Sequence, residues 1–250
     1  MKSFDELVAE AEAADVSGWG FGWLAGRASE ERPSWGYSRL LAQRLAQVES
    51  ALDLDTGGGE VLGEVPRFPP RMCATEAWSP NARKAREHLS ERGVQVVETT
   101  AADSVLPFAD ASFELVTSRH PVSPNWAEIH RVLKPGGCYF AQHVGAASAF
   151  DLIERFLGPL PQQRRQRDPQ DEAAAAQAAG LNVTDLRVER CRLVFNDVGA
   201  VVWILRKCVW WVPDFSTRRY HDVLLALDEQ MRGGRPFVAY STRHLIEARR

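Results

Sequence analysis

Asp53, Asp55, Thr56, Gly57, Gly58, Gly59 and Glu60 stand at the end of an apolar run that begins at Ala51. That pattern joins a strand to a helix through a turn able to pass close beneath a ligand. Glycine accepts backbone dihedrals that a β-carbon forbids, and the first turn of the following helix leaves its amide donors unpaired. A dinucleotide turn needs Gly-x-Gly-x-x-Gly and a pyrophosphate on those amides. Here the glycines are contiguous and three carboxylates surround them, which repels phosphate and favours a cation, so NAD and NADP are not expected to bind. Glu76 closes a second short apolar segment 23 residues after Asp53. A doubly wound fold carries at that distance the acid that accepts hydrogen bonds from ribose hydroxyls. His120 and His143 follow the next strong strand signals, Phe113 to Thr117 and Cys138 to Gln142. Imidazoles titrate near neutrality, and ligands of open α/β sheets lie outside the carboxyl ends of strands. His120 is therefore the first candidate for a general base or a substrate hydrogen bond, and His143 the second. A satisfied structural hydrogen bond is the alternative for each. His88, His130, His221 and His244 read as structural or solvated.

The elements around these residues alternate between strand and helix. Phe4, Leu7, Val8 and Ala11 recur at helical spacing over residues 3 to 14, and Pro33 to Tyr37 opens a second helix running to about Glu49. Ser79 and Pro80 predict an N-cap and first helical position, and Gly93 closes that helix before a strand from Val94 to Thr99. A helix from Asn125 to Leu133 leads through Lys134-Pro135-Gly136-Gly137 into the strand at Cys138. Further on, helices are expected at Ala147 to Phe156 and Glu172 to Ala179, with a polar loop from Gly158 to Asp171 between them. Leu181 to Leu193 and Phe237 to Ala248 predict the last two strands. Between those strands, residues 195–235 hold Trp203, Trp210, Trp211, Phe215 and Tyr220. They either cover a substrate or bury the insertion's own helices.

Four ordered segments carry a family resemblance: the glycine turn with Glu76 behind it, Ala102-Asp103, Leu106-Pro107-Phe108-Ala109-Asp110-Ala111-Ser112-Phe113-Glu114-Leu115-Val116, and Glu128 to Gly137. Over residues 50 to 145 the chain resembles the class I S-adenosylmethionine-dependent methyltransferases of the small-molecule type. The resemblance implies a doubly wound, Rossmann-like α/β fold with a seven-stranded sheet, mostly parallel with the last strand antiparallel. On that plan residues 1–49 form a helical N-terminal cap, 50–194 the cofactor-binding core, 195–235 an insertion or substrate cover, and 236–250 the final strand. The implied cofactor is S-adenosyl-L-methionine, which carries a sulfonium and an ammonium group and no phosphate, in keeping with the acidic turn. Carried over residue by residue, the acid ending strand one falls on Asp53 and its glycines on Gly57 and Gly59, with Thr56 and Gly58 between. The ribose acid falls on Glu76, Ala77 and Trp78 lie beside the adenine, and Asp103 after Ala102 accepts from the adenine amine. Ser118 is expected on the cofactor side of strand four. Trp35 and Tyr37 are expected to border the methionine end, with buried packing as the alternative. Asp55 departs from the family, which commonly has glycine there; it either meets the methionine ammonium or weakens cofactor binding. The strand-four end also lacks the Pro-Pro-aromatic tetrapeptide of methyltransferases acting on base or glutamine amides.

Composition narrows the partners. At 45% hydrophobic and 25% charged residues the chain is of globular type. Its formal net charge of −3 gives no footprint for a polyanion, so a small-molecule acceptor is expected and nucleic acid is not. Cys73, Cys138, Cys191 and Cys208 lack metal-ligand spacing, so no metal is expected, and they read as reduced thiols of a cytoplasmic protein. Acids near the N-terminus oppose an export signal, and the apolar run from Val198 to Val212 is too short to span a bilayer. Oligomeric state is left open. Two other functional readings stand beside the first: an RNA methyltransferase, and a binding module that keeps the cofactor and has lost transfer.

Overall fold

The computed structural model describes residues 2–18, 20–100 and 105–250. Among these, eight strands form: β1 (Ala28–Glu30), β2 (Ser50–Leu54), β3 (Arg71–Glu76), β4 (Val94–Glu98), β5 (Phe113–Arg119), β6 (Leu133–Val144), β7 (Asn182–Phe195) and β8 (Phe237–Arg249). The helices are α1 (Phe4–Ala13), α2 (Tyr37–Leu45), α3 (Glu60–Gly63), α4 (Ser79–Leu89), α5 (Trp126–Val132), α6 (Phe150–Leu157), α7 (Pro169–Ala178), α8 (Val198–Lys207) and α9 (His221–Arg232). The chain divides into two compact units, each built from three separate segments.

The larger unit comprises Pro33–Gly145, Arg167–Glu189 and Arg243–Arg250. Its part of the sheet has the order β7-β8-β6-β5-β2-β3-β4. β4, β3, β2, β5 and β6 run parallel, and β8 is antiparallel to β6. This is the α/β sheet expected from the sequence. Ala51, Leu52, Leu115 and Val116 are buried, as central strands covered on both faces require. β2 lies between β5 and β3, so strand order reverses there and opens a crevice at the carboxyl ends of β2 and β5.

Residues 33–49 group with this unit rather than forming a separate cap. Leu41 and Leu45 of α2 are buried in one core with Ala51, Leu115 and Phe140, which holds the segment to the sheet. Several boundaries also move, among them the end of α2, which falls at Leu45 and not near Glu49. The fifth helix takes Asn125 as its cap, but β6 starts at Leu133, not Cys138, and absorbs the Lys134 to Gly137 segment expected to lead into it. Gly136 and Gly137 exchange backbone bonds with Arg250, which keeps that stretch in the ladder. Trp78, not Ser79, occupies the cap of α4. The loop read as reaching Asp171 ends at Asp168, whose side chain caps α7 and precedes Pro169 at the first helical position. Finally, α6 begins at Phe150 because Ala147 and Ala149 hold left-handed φ of 55° and 64°.

The smaller unit comprises Met1–Arg32, Ala146–Gln166 and Arg190–Thr242. Here β1 pairs antiparallel with β7, Ala28 opposite Phe195. Three residues without apolar alternation gave no sequence signal for this eighth strand. The aromatic insertion fills this unit's own core. Trp203 stacks on Trp23 at 5.7 Å, and Phe215 stacks on Tyr220 at 5.9 Å beside Phe156. Trp210 is the exception at 59% exposed. Arg206 and Lys207 end the apolar α8 and turn on the carbonyls behind α1: Arg206 donates to Ala11 and Ala14, Lys207 to Val16, Ser17 and Gly18. Among the described residues no helix is long and apolar enough to cross a membrane.

Candidate cofactor and acceptor site

The glycine turn is fixed from both sides. Asp55 takes the left-handed φ of 54°, so the backbone there adopts a glycine-like conformation while keeping the side chain, which is exposed. Aspartate tolerates this region better than most residues. Thr56 donates its amide to Thr75 O at 2.9 Å, and Gly57 donates to Glu76 Oε2 at 2.8 Å. The second Glu76 oxygen accepts from Trp78 N at 2.8 Å. Behind the turn, Gly58 O accepts from His88 Nδ1 at 2.7 Å. Gly59 has φ of 81°, and a β-carbon there would stand 2.9 Å from Leu89 Cδ1 and 3.3 Å from Ala85 Cα. The turn therefore rests directly on α4.

Four acidic groups surround this turn. Asp53 is buried and accepts from Thr117 Oγ1 at 2.6 Å. Burial pushes its carboxyl up to about 6, against the lowering effect of that hydroxyl. A buried carboxyl so raised is the group a ligand cation would ionise. The Thr56 hydroxyl, also buried, acts on the same carboxyl in the same lowering direction. Asp55 and Glu60 are exposed and Glu76 is buried. Ala77 and Trp78 lie exposed beside Glu76, Trp78 at 48%. The donor and acceptor set fits a cationic ligand that also bears hydroxyls. Ala102 and Asp103 lie outside the described residues.

At the end of β5 the acceptor-side residues form a chain. His120 has a left-handed φ of 61° and donates its amide to Gln142 O at 2.7 Å. The indole Nε1 of Trp35 donates to Gln142 Oε1 at 2.8 Å, and Gln142 Nε2 lies 3.1 Å from His120 Nε2. An indole can only donate, which fixes the Gln142 oxygen, so the amide nitrogen must donate to His120 Nε2. His120 is thereby held as the Nδ1–H tautomer with its basic nitrogen already occupied. Burial, with Arg119 and Arg243 nearby, pushes its pKa well below the usual imidazole range. Of the two roles read for His120, this geometry favours donor to a substrate.

Trp35 and Tyr37 are buried, 6% exposed each. Tyr37 stacks on Phe140 at 5.3 Å and donates to Ser118 O at 3.1 Å, while Ser118 Oγ donates to Leu54 O. They pack and brace the crevice from within, as the packing alternative expected. Ser118 likewise spends its hydroxyl tying β5 to β2.

His143 is also enclosed, at 2% exposed. Its Nδ1 lies 2.5 Å from Glu172 Oε2 and its Nε2 lies 3.0 Å from Tyr139 Oη, with Trp126 stacked at 6.2 Å. The same Glu172 oxygen meets His244 Nε2 at 2.9 Å. Burial raises the Glu172 carboxyl, yet the two imidazole hydrogen bonds outweigh it and hold the group at about 2. Burial lowers His143, with Glu172 opposing. The sequence set His244 aside and used Glu172 only to open a helix. Gln142 gave no signal either, since glutamine at a strand end is common on exposed edges.

Residues 52–141 match the family model of a methyltransferase domain. The matched stretch holds the acidic glycine turn and runs through β2, β3, β4 and β5 into β6, and it is similar to methyltransferase domains over that span. Among solved structures, a protein assigned as a methyltransferase from Bacillus halodurans C-125 is similar at 22% identity and a TM-score of 0.61, covering 85% of this chain and 97% of that one. The YcgJ protein from Bacillus subtilis follows at 19% identity and 0.60, with the same coverage of 85% and 97%. A geranyl diphosphate methyltransferase in complex with S-adenosylmethionine aligns at 15% identity and 0.53, covering 86% of this chain and 84% of that one. At these identities the structures show the fold alone. No curated protein matches the chain at a significant level.

Proposed function

We propose that this chain is an S-adenosylmethionine-dependent methyltransferase that alkylates an oxygen or nitrogen of a small organic acceptor. The observation that carries this reading is the Glu76 carboxylate, held by Gly57 N and Trp78 N at the end of β3 beside a turn rich in acids. When bound, the cofactor would supply a methyl on sulfonium: the acceptor oxygen or nitrogen would bond to it as the carbon–sulfur bond breaks, the thioether would leave neutral with the electron pair, and the acceptor's proton would pass to solvent. Glu76 would accept from the ribose hydroxyls, Trp78 would cover the adenine, and Asp53 would face the ammonium group. His120 Nδ1–H would donate to the acceptor and orient it. No leaving-group acid is required, so positioning in a dry crevice can supply most of the rate.

Because His120 Nε2 is occupied and His143 is enclosed, a binding module without transfer is the second reading. Calorimetric titration with S-adenosylhomocysteine tests the cofactor, with a dissociation constant in the micromolar range expected, on the order of −8 kcal/mol. Glu76→Ala should weaken it by roughly 1 to 3 kcal/mol, through loss of a charged acceptor. Failure of the wild-type chain to bind overturns the assignment. Binding without methyl transfer to any acceptor of a broad screen favours the module.

A further inference from the structure

We propose that His143, Glu172 and His244 form a binding site for a divalent transition metal of the zinc class. The three come from β6, α7 and β8, all within the larger unit. His143 and His244 are direct cross-strand partners in the antiparallel ladder. Both imidazoles therefore rise from one register position, and the donor atoms of all three side chains lie within 4.8 Å of one another. Two imidazoles and one carboxylate suit zinc, iron or cobalt; magnesium and calcium prefer oxygen donors.

The surroundings match what a bound ion needs. His143 uses Nδ1 toward the centre, and its outer nitrogen reaches the Tyr139 hydroxyl at 3.0 Å. Outer-shell hydrogen bonds of this kind orient metal-ligating histidines. Trp126 stacks on His143, and His143 and His244 are 2% and 0% exposed, so water is kept from most of the cluster. Both imidazoles converge on one oxygen, Glu172 Oε2, at 2.5 and 2.9 Å. Around an ion with ligand bonds near 2.05 Å, tetrahedral neighbours lie about 3.3 Å apart, so seating it needs each imidazole nitrogen to draw back from the Glu172 oxygen by less than about an ångström. The expectation of no metal came from cysteine spacing, and this site uses no cysteine. Its role would be to pin α7 to the paired strands β6 and β8, and it stands whether or not the chain transfers methyl groups.

The test uses the full chain, stripped with a chelator and titrated with Zn²⁺ alone in competition with a chromophoric chelator. About one equivalent should bind, and the melting temperature should rise with it. Co²⁺ in place of Zn²⁺ should give the visible absorption of a low-coordinate nitrogen and oxygen site. Glu172→Gln and His244→Ala should lose affinity beyond the roughly 10- to 100-fold that an outer-shell change costs, while Tyr139→Phe should lose an amount within that range. The Tyr139→Phe arm keeps the test decisive if His244→Ala fails to fold. A wild-type chain that binds no Zn²⁺ overturns the proposal, as does Zn²⁺ binding that Glu172→Gln and Tyr139→Phe leave unchanged.

Discussion

Asp53 shows how one buried group sets the conditions of binding. Its carboxyl is raised to about 6 by burial, so the cofactor-free protein loses this proton only near that pH. A cationic ligand favours the ionised form and must draw the pKa down. Affinity for S-adenosylhomocysteine should therefore be full above pH 7 and fall as pH drops through 6, by up to about tenfold per unit. Asp53→Asn should weaken binding and flatten that profile. His120 makes a second, spectroscopic case. Nitrogen NMR of the imidazole should show the Nδ1–H tautomer in the wild-type chain. Gln142→Leu removes the donor to Nε2 and should raise the His120 pKa while redistributing the tautomers. Unchanged His120 signals in that variant would remove Gln142 from the site.

Among the elements, the strand–turn–helix at β2 and α3 is the part most legible in the sequence, because its information is local. Apolar residues buried on both faces write a central parallel strand as a continuous run, and glycines mark the backbone that must turn beneath a ligand. Gly59→Ala should destabilise the fold by roughly 1 to 3 kcal/mol in urea unfolding, because it meets both a left-handed φ and the Leu89 side chain. Cofactor affinity should fall with it. The helix at Pro169 was legible in principle, since Asp168 and Pro169 are a capping pair, but the polar residues before it masked the start. His143, Glu172 and His244 were not legible as a group. Their meeting depends on which residue of β8 stands opposite which residue of β6, and on α7 crossing above that point. A one-residue slip of register would send the two imidazoles to opposite faces. The Trp35, Gln142 and His120 chain was hidden for the same reason.

At the scale of the molecule, each unit is stabilised from within by its own apolar core. In the smaller unit the segment after α1 is held by Lys207 beside Arg206: Lys207 is 9% exposed and donates to three successive carbonyls. Lys207→Met keeps the apolar volume and leaves those carbonyls without their donor, which should cost about 2 to 4 kcal/mol and lower the melting temperature. A loss under half a kcal/mol would mean that water replaces the ammonium there. The discontinuous larger unit has a consequence for synthesis. A ribosome makes His143 first, Glu172 follows after 29 residues, and His244 after a further 72. Throughout that interval β6 has a bare edge, because its antiparallel neighbour β8 has not yet been translated. A nascent chain in this state presents an apolar, unpaired strand to whatever lies near the exit tunnel. Residues 243 to 249 cover that edge by pairing with β6, so slowing their translation should raise the chaperone demand of the emerging polypeptide.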